Sequence, residues 1–234
     1  MNKVHLIDCM EFMKGVPDKY YQLSIVDPPY GIGEDGGNKH RLTKSSEAKG
    51  FIKSNEKVYA NKDWDIKPPQ EYFRELFRIS QNQIIWGANY FTDMLPPSMG
   101  WVFWYKKGAD KSKFSDGELA YTSFNRALRM FKYDWIGFGA INSGENRIPP
   151  TQKPVALYKW LLQNYAKPGD KIFDSHVGSG SSRIACYDMG FDFMGCELDP
   201  DYWKAQEERF KSHASQIDLF APSDLQPLMI GNAL

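Results

Sequence analysis

Apolar residues along this chain recur at two spacings, alternation and helical period, and turn residues punctuate them. Residues 4–7 form a short strand closed by Asp8, a residue able to cap a helix over residues 9–14. Residues 22–26 make a second strand. It stops at Asp27-Pro28-Pro29-Tyr30, where consecutive prolines bar both helix and ladder bonding. Residues 31–67 show little apolar periodicity and many Gly, Lys and Ser, and predict a long loop with at most one short helix. Over residues 70–79, Tyr72, Phe73, Leu76, Phe77 and Ile79 fall largely on one helical face. Residues 83–86 are then a buried strand ending at Gly87-Ala88-Asn89. Three further strands, at 101–105, 118–124 and 128–135, are expected to make an antiparallel edge, and 137–150 returns to loop. The last third reads as a βαβ unit: helix 154–165, strand 171–173, a glycine turn, helix 181–189 ended by Gly190, and strand 191–196. A final helix starts near residue 199 and fades around His213. The resulting class is α/β, with a mostly parallel sheet and an antiparallel edge.

Length and composition fit this picture. The chain has 234 residues, 42% of them hydrophobic, enough for one α/β domain with elaborated loops. No apolar run reaches the roughly 20 residues a bilayer requires. The opening Met1-Asn2-Lys3-Val4-His5 lacks the apolar stretch of a secretory signal. Cys9, Cys186 and Cys196 share no metal-type spacing and read as reduced thiols of a cytoplasmic protein; no metal site is expected. Formal net charge is zero, yet between residues 39 and 62 seven basic residues meet only Glu47 and Glu56. Such a patch can meet phosphates while acids elsewhere balance the total.

Two turns carry candidate chemistry. In Asp174-Ser175-His176-Val177-Gly178-Ser179-Gly180-Ser181, between a strand and a helix, the glycines allow backbone to approach a ligand closely. Glu197, followed by Leu198, ends the next strand, where a carboxylate can accept hydrogen bonds from ribose hydroxyls. Ser181-Ser182-Arg183 after Gly180 breaks the dinucleotide spacing, and no G-K-[ST] follows. A cofactor with a nucleoside and an amino acid but no phosphate needs only the glycines and the acid, with Asp174 free to hold an ammonium group. An ordinary glycine turn, with Glu197 capping a helix, is the alternative.

The other turn, Asp27-Pro28-Pro29-Tyr30, offers a carboxylate and a proline carbonyl held outward. Together they can accept both N–H bonds of a planar exocyclic amine and favour its pyramidal, nucleophilic form. The Tyr30 ring can stack on an extruded base, a contact worth about 1–3 kcal/mol.

These motifs resemble the amino-group DNA methyltransferases of bacteria and phages, specifically the β-ordered, circularly permuted N6-adenine/N4-cytosine group, in which the catalytic turn precedes the cofactor turn. The likeness covers most of the chain. It implies a Rossmann-like sheet, S-adenosylmethionine as cofactor, double-stranded DNA as partner, and a target base flipped out of the duplex. Catalytic residues would be Asp27, Pro28, Pro29 and Tyr30. Cofactor residues would be Asp174, His176, Gly178, Ser179, Gly180, Ser181, Glu197 and Leu198. Ile7-Asp8-Cys9 is similar to the segment that approaches the cofactor's adenine. Thr151-Gln152-Lys153-Pro154-Val155 is similar to a segment near its methionine moiety, and so adds Lys153. Residues 85–91 also match a family segment. Where relatives read Asp-Pro-Phe, this chain has Asp174-Ser175-His176, and His176 could stand in for the aromatic wall. Asp rather than Ser opening the Pro-Pro turn favours adenine N6 within the family. N4 of cytosine, or a degenerate DNA-binding subunit, are the alternatives.

The resemblance divides the chain into a methyltransferase domain over residues 1–213, with recognition loops inserted at about 33–66 and 106–150, and an irregular tail over 214–234. Lys39, Arg41, Lys44, Lys49 and Lys53 are the candidate DNA contacts of the first loop. Lys106, Lys107, Lys111, Lys113, Arg126, Arg129 and Lys132 are those of the second. So small a recognition region suggests a short site or a homodimer. Gln216-Ile217-Asp218-Leu219-Phe220 resembles a sliding-clamp docking peptide, or packs back on the last helix. A role in restriction–modification, phage self-protection or regulation stays open.

Overall fold

The computed structural model describes residues 1–32, 65–106, 115–133 and 152–220, excepting the side chains of 217–220. Strand β1 (Asn2–Leu6) leads through Asp8 into α1 (Cys9–Lys14). The Asp8 carboxylate accepts from the Met10 and Glu11 amides at 2.8 and 3.1 Å, satisfying donors that the first helical turn leaves open. Then come β2 (Tyr21–Val26), α2 (Gln70–Ile79) and β3 (Ser80–Trp86). Pro69 precedes the helix, and its Leu76, Tyr72, Phe73 and Ile79 are fully buried, as the apolar face predicts. After β4 (Trp101–Lys106), β5 (Gly117–Thr122) and β6 (Arg129–Tyr133) follow α3 (Val155–Tyr165), β7 (Lys171–Asp174), α4 (Ser181–Asp188), β8 (Asp192–Glu197) and α5 (Pro200–Phe220).

The eight strands of the described residues join one sheet in the order β1-β8-β7-β2-β3-β5-β4-β6. Only β5 opposes the rest: it pairs antiparallel with β3 and β4, while every other pairing is parallel. The antiparallel edge is therefore a single reversed strand, and β6 returns parallel beside β4 instead of continuing a meander. The central strands are buried on both sides by alternation. Leu23, Ile25 and Ile84 face α3 and α4, whereas Val26 and Ile85 face α1 and α2. The crossover through α2 carries the chain from β2 outward to β3; the crossover through α4 carries it from β7 to β8 in the other direction, on the other face. Diverging crossovers leave a crevice at the carboxyl ends of β2 and β7, where open α/β sheets hold ligands.

Three expectations change. The last helix runs to Phe220 rather than fading at His213, so the tail is not irregular from 214 onward. The span 106–150, expected to insert as a recognition loop, carries β5 and β6 of the sheet, where strands were themselves expected at 118–124 and 128–135. Finally, Asp199 caps α5 by accepting from the Asp201 and Tyr202 amides, a role the alternative reading gave to Glu197. Among the described residues no helix is long and apolar enough to cross a membrane.

Candidate active site

Five parallel strands end side by side, and four bring an acid to the same rim. Asp8 follows β1, Glu197 ends β8, Asp174 ends β7 and Asp27 follows β2. The register fixes their closeness: Ser24 pairs with Phe173, Asp174 with Gly195, and Leu6 with Glu197. The catalytic and cofactor turns, far apart in sequence, are thus neighbours in space.

At the end of β2 the Tyr30 hydroxyl donates to Asp27 Oδ1 at 2.6 Å, and the Lys153 ammonium donates to Oδ2. Burial, then the Asp27 charge, push the Tyr30 phenol well above its ordinary range, so it stays a donor. Its ring stacks on Tyr90 with centroids 5.2 Å apart and meets Phe91 edge-on at 6.2 Å. Tyr90 is 40% exposed, and a base using that face of Tyr30 must displace it. Gly87 makes the shelf possible: it sits at φ +65°, and a Cβ there would overlap the Tyr30 ring.

At the end of β7, Asp174 is 1% exposed. It accepts from the His176 amide at 3.0 Å and the Ser182 hydroxyl at 2.6 Å, but no cation among the described residues reaches it. Burial, reinforced by the charges of Asp27 and Glu197, pushes its carboxyl up to about 7. A buried acid so placed suits a cationic ligand. Glu197 accepts from the Gly178 amide at 2.8 Å and the Asp199 amide at 2.9 Å. Burial raises its carboxyl despite those bonds. Gly178 adopts φ +54°, and nothing lies within 4 Å of where its Cβ would stand. The turn therefore presents bare backbone to open space, between the Glu197 carboxylate and an acid that no cation among the described residues reaches.

His176 lies in this turn with Nδ1 2.8 Å from Ser175 Oγ, which is itself 2.7 Å from the Tyr72 hydroxyl. Its ring meets Tyr72 at 5.5 Å, and burial lowers its pKa to about 4, keeping the imidazole neutral. Tyr72 thus holds Ser175 by a hydrogen bond and meets the His176 ring from helix α2. As one more apolar-face aromatic, it carries no signal in the sequence.

Other expected cofactor residues divide. Cys9 is half-buried in the first turn of α1, its thiol pushed up to about 12 by burial and then by Asp8, which makes it inert. Leu198 is 67% exposed beyond Glu197, available to cover a ligand. The hydroxyls of Ser179 and Ser181 lie 3.1 Å apart, and Arg209 holds the Ser179 carbonyl and Ser181 Oγ, so these two serines brace the turn. Lys153 is placed on Asp27 instead of on the glycine turn. Glu118, its second partner, was not among the expected residues; the only hint is a carboxylate inside an otherwise uncharged strand.

Lys39, Arg41, Lys44, Lys49 and Lys53 lie outside the described residues, as do Lys107, Lys111 and Lys113. Two of the remaining basic candidates are engaged internally: Lys106 with Glu118, and Arg126 with the Asn164 carbonyl. Arg129 and Lys132 are exposed on the edge strand β6. A pocket at the α1–α2 junction, lined by Met10, Lys14, Glu71, Arg74, Glu75 and Arg78, includes none of the rim acids.

A mostly parallel sheet with a glycine turn and acids at adjoining strand ends defines the Rossmann-like class of nucleoside-cofactor folds. Within that class the chain belongs to the DNA methylase family, whose N6/N4 methyltransferase model matches residues 21–208. The Type II methyltransferase M1.MboII of Moraxella bovis is 22% identical, the alignment covering 86% of this chain and 94% of that protein. The crystal structure of the M1.HpyAVI–SAM complex superposes with a TM-score of 0.55 at 15% identity, covering 89% of this chain and all 100% of that one. PvuII DNA methyltransferase, cytosine-N4-specific, superposes with a TM-score of 0.54 at 11% identity, covering 93% of each chain.

Proposed function

We propose that this chain methylates N6 of a flipped adenine in double-stranded DNA, as a permuted member of its family, with S-adenosylmethionine as donor. The reading rests on one juxtaposition: Asp27-Pro28-Pro29-Tyr30 at the end of β2, beside the Asp174 turn at the end of β7. S-adenosylmethionine supplies an electrophilic methyl group and departs as its thioether.

The residues of the rim suit that donor. Asp174 offers its ammonium the anion that the pocket leaves without a cation, and Glu197 accepts from the ribose. His176, neutral and braced by Ser175 and Tyr72, walls the site without repelling a sulfonium charge. On the substrate side, the Asp27 carboxylate takes one N–H of the target amine and the Pro28 carbonyl the other. With the donor bound, these two acceptors would aim the nitrogen lone pair at its methyl group, and Asp27 would accept the proton that the alkylated nitrogen sheds. Tyr30 supports the base by stacking, offsetting part of the few kcal/mol that flipping costs.

The test is direct. The protein is incubated with unmethylated genomic DNA and labelled cofactor, and the DNA is digested to nucleosides. Label in N6-methyl-2′-deoxyadenosine is the expected result; label in N4-methyl-2′-deoxycytidine would move the target base, and absence of label would remove the reading. Gly87→Ala should lower the transfer rate by about tenfold or more, since the added methyl displaces Tyr30 and an alanine at that φ costs roughly 1–2 kcal/mol. Initial rates with the same DNA check it, and an unchanged rate would show that the Tyr30 shelf is dispensable.

A further inference from the structure

Lys153 stands immediately before α3, yet its ammonium group reaches over β3 to join two acids from different strands. It donates to Asp27 Oδ2, lies 3.1 Å from Glu118 Oε2 and 3.3 Å from the Tyr30 hydroxyl, and is only 3% exposed. The Trp86 ring lies beneath it, 5.5 Å to the centroid. Glu118 is held from its other oxygen by Lys106 at 2.5 Å. Lys106 lies two residues beyond Trp104, the pairing partner of Glu118. Asp27, Lys153, Glu118 and Lys106 therefore alternate in sign along a row crossing the sheet from β2 to β4.

We propose that Lys153 is a positioning residue for methyl transfer: it fixes the Asp27 carboxylate in its accepting orientation, and Glu118 anchors Lys153 there. The inference rests on the methyltransferase reading and replaces the cofactor contact expected for Lys153.

The electrostatics of the rim supply the reason. Asp27 is faced by the carboxylate of Asp174 from β7 and by the phenols of Tyr30, Tyr72 and Tyr158. Lys153 is the cation in contact with it. Without that contact the carboxylate would be free to turn its accepting lone pairs away from the amine. Burial opposes the charge on Lys153, but Asp27 and Glu118 together raise its pKa, so the cation persists. Burial likewise opposes the charge on Glu118, yet Lys153 and then Lys106 pull it down to about 2. The anchor is therefore ionised at neutral pH.

Single-turnover methyl transfer, and calorimetric titration with S-adenosylmethionine, test the inference on wild type, Lys153→Met, Lys153→Arg and Glu118→Gln. For Lys153→Met the transfer rate at pH 7 should fall by roughly 10- to 100-fold, the scale of a misplaced catalytic group. Cofactor affinity should stay within about twofold, because the positioning acts on Asp27. Lys153→Arg should recover most of the rate, and Glu118→Gln should fall between. No recovery in Lys153→Arg, or a large loss of cofactor affinity in Lys153→Met, would overturn the positioning role. Should Lys153→Met not fold, the rate and cofactor affinity of Glu118→Gln decide in its place. A wild type inert on every DNA would overturn the methyl-transfer reading and this inference with it; an active wild type matched by both variants would overturn this inference alone.

Discussion

Asp27→Ala should reduce methyl transfer to DNA by about a thousandfold or more, some 4 kcal/mol of transition-state stabilisation. Adenine's exocyclic amine is planar, and its lone pair is shared with the ring, so the attack depends on acceptors that draw its N–H bonds out of that plane. In this site Asp27 is the carboxylate at the end of β2, with Tyr30 and Lys153 holding its two oxygens in place. Each oxygen keeps a further lone pair for the incoming amine. Alanine removes the acceptor, the proton sink and the partner of Lys153 at once. Asp27→Asn should lose less, because its amide oxygen still accepts one N–H, while it can neither hold Lys153 by charge nor take up the proton. Tritium transferred from labelled cofactor to DNA measures both variants, with cofactor titration as the check that the β7 turn is intact. Equal counts from wild type and Asp27→Ala would end the catalytic assignment.

How much of this could be read from the chain depends on the range of the interaction. Helix α2 was legible to its boundaries, because Pro68-Pro69 sets its start and its apolar face is written into ten consecutive residues. The turn after β2 was equally plain, since two prolines end a strand whatever surrounds them. The direction of β6 was not legible. Parallel pairing with β4 is decided by where the chain crosses, not by the residues of the strand, and Arg129–Tyr133 would alternate the same way in a meander. Helix α5 outran its expected end because the apolar pattern weakens after His213 without any Pro or Gly to stop it.

The site divides along the same line. Asp27, Asp174 and Glu197 stand out because each ends a strand next to turn chemistry, and a carboxylate in that place has few structural uses. The Lys153 row was hidden, since it joins residues 126 positions apart through side chains alone. Glu118 looks like any strand residue until Lys106 and Lys153 are seen on either side of it. Ser175 and His176 looked like departures from a pattern for a related reason: Tyr72, the residue that accommodates them, arrives from another helix.

Affinity for S-adenosylmethionine should rise with pH up to about 7 and then level off, and Asp174 is the group responsible. Burial in the ligand-free pocket moves its carboxyl from 3.8 to about 7, which corresponds to about 4 kcal/mol opposing ionisation. A cationic ammonium group binds the anionic form. The sign follows: below about pH 7 the free protein holds a proton on Asp174 that must leave on binding, so the dissociation constant should grow close to tenfold for each unit of acidification. Above that point Asp174 releases no proton, and the curve levels off until the ligand's own ammonium begins to titrate, at about pH 8. His176 does not intrude, since its pKa near 4 keeps it neutral through this window. Calorimetry between pH 5.5 and 8, in buffers of different ionisation enthalpy, should therefore detect proton release on the acid side and none on the alkaline side. Asp174→Asn should bind roughly 30- to 100-fold more weakly at pH 8, the value of a charged hydrogen bond of about 2–3 kcal/mol, and should lose the slope. A variant that keeps the wild-type slope would place the titrating group elsewhere and take the ammonium contact away from Asp174.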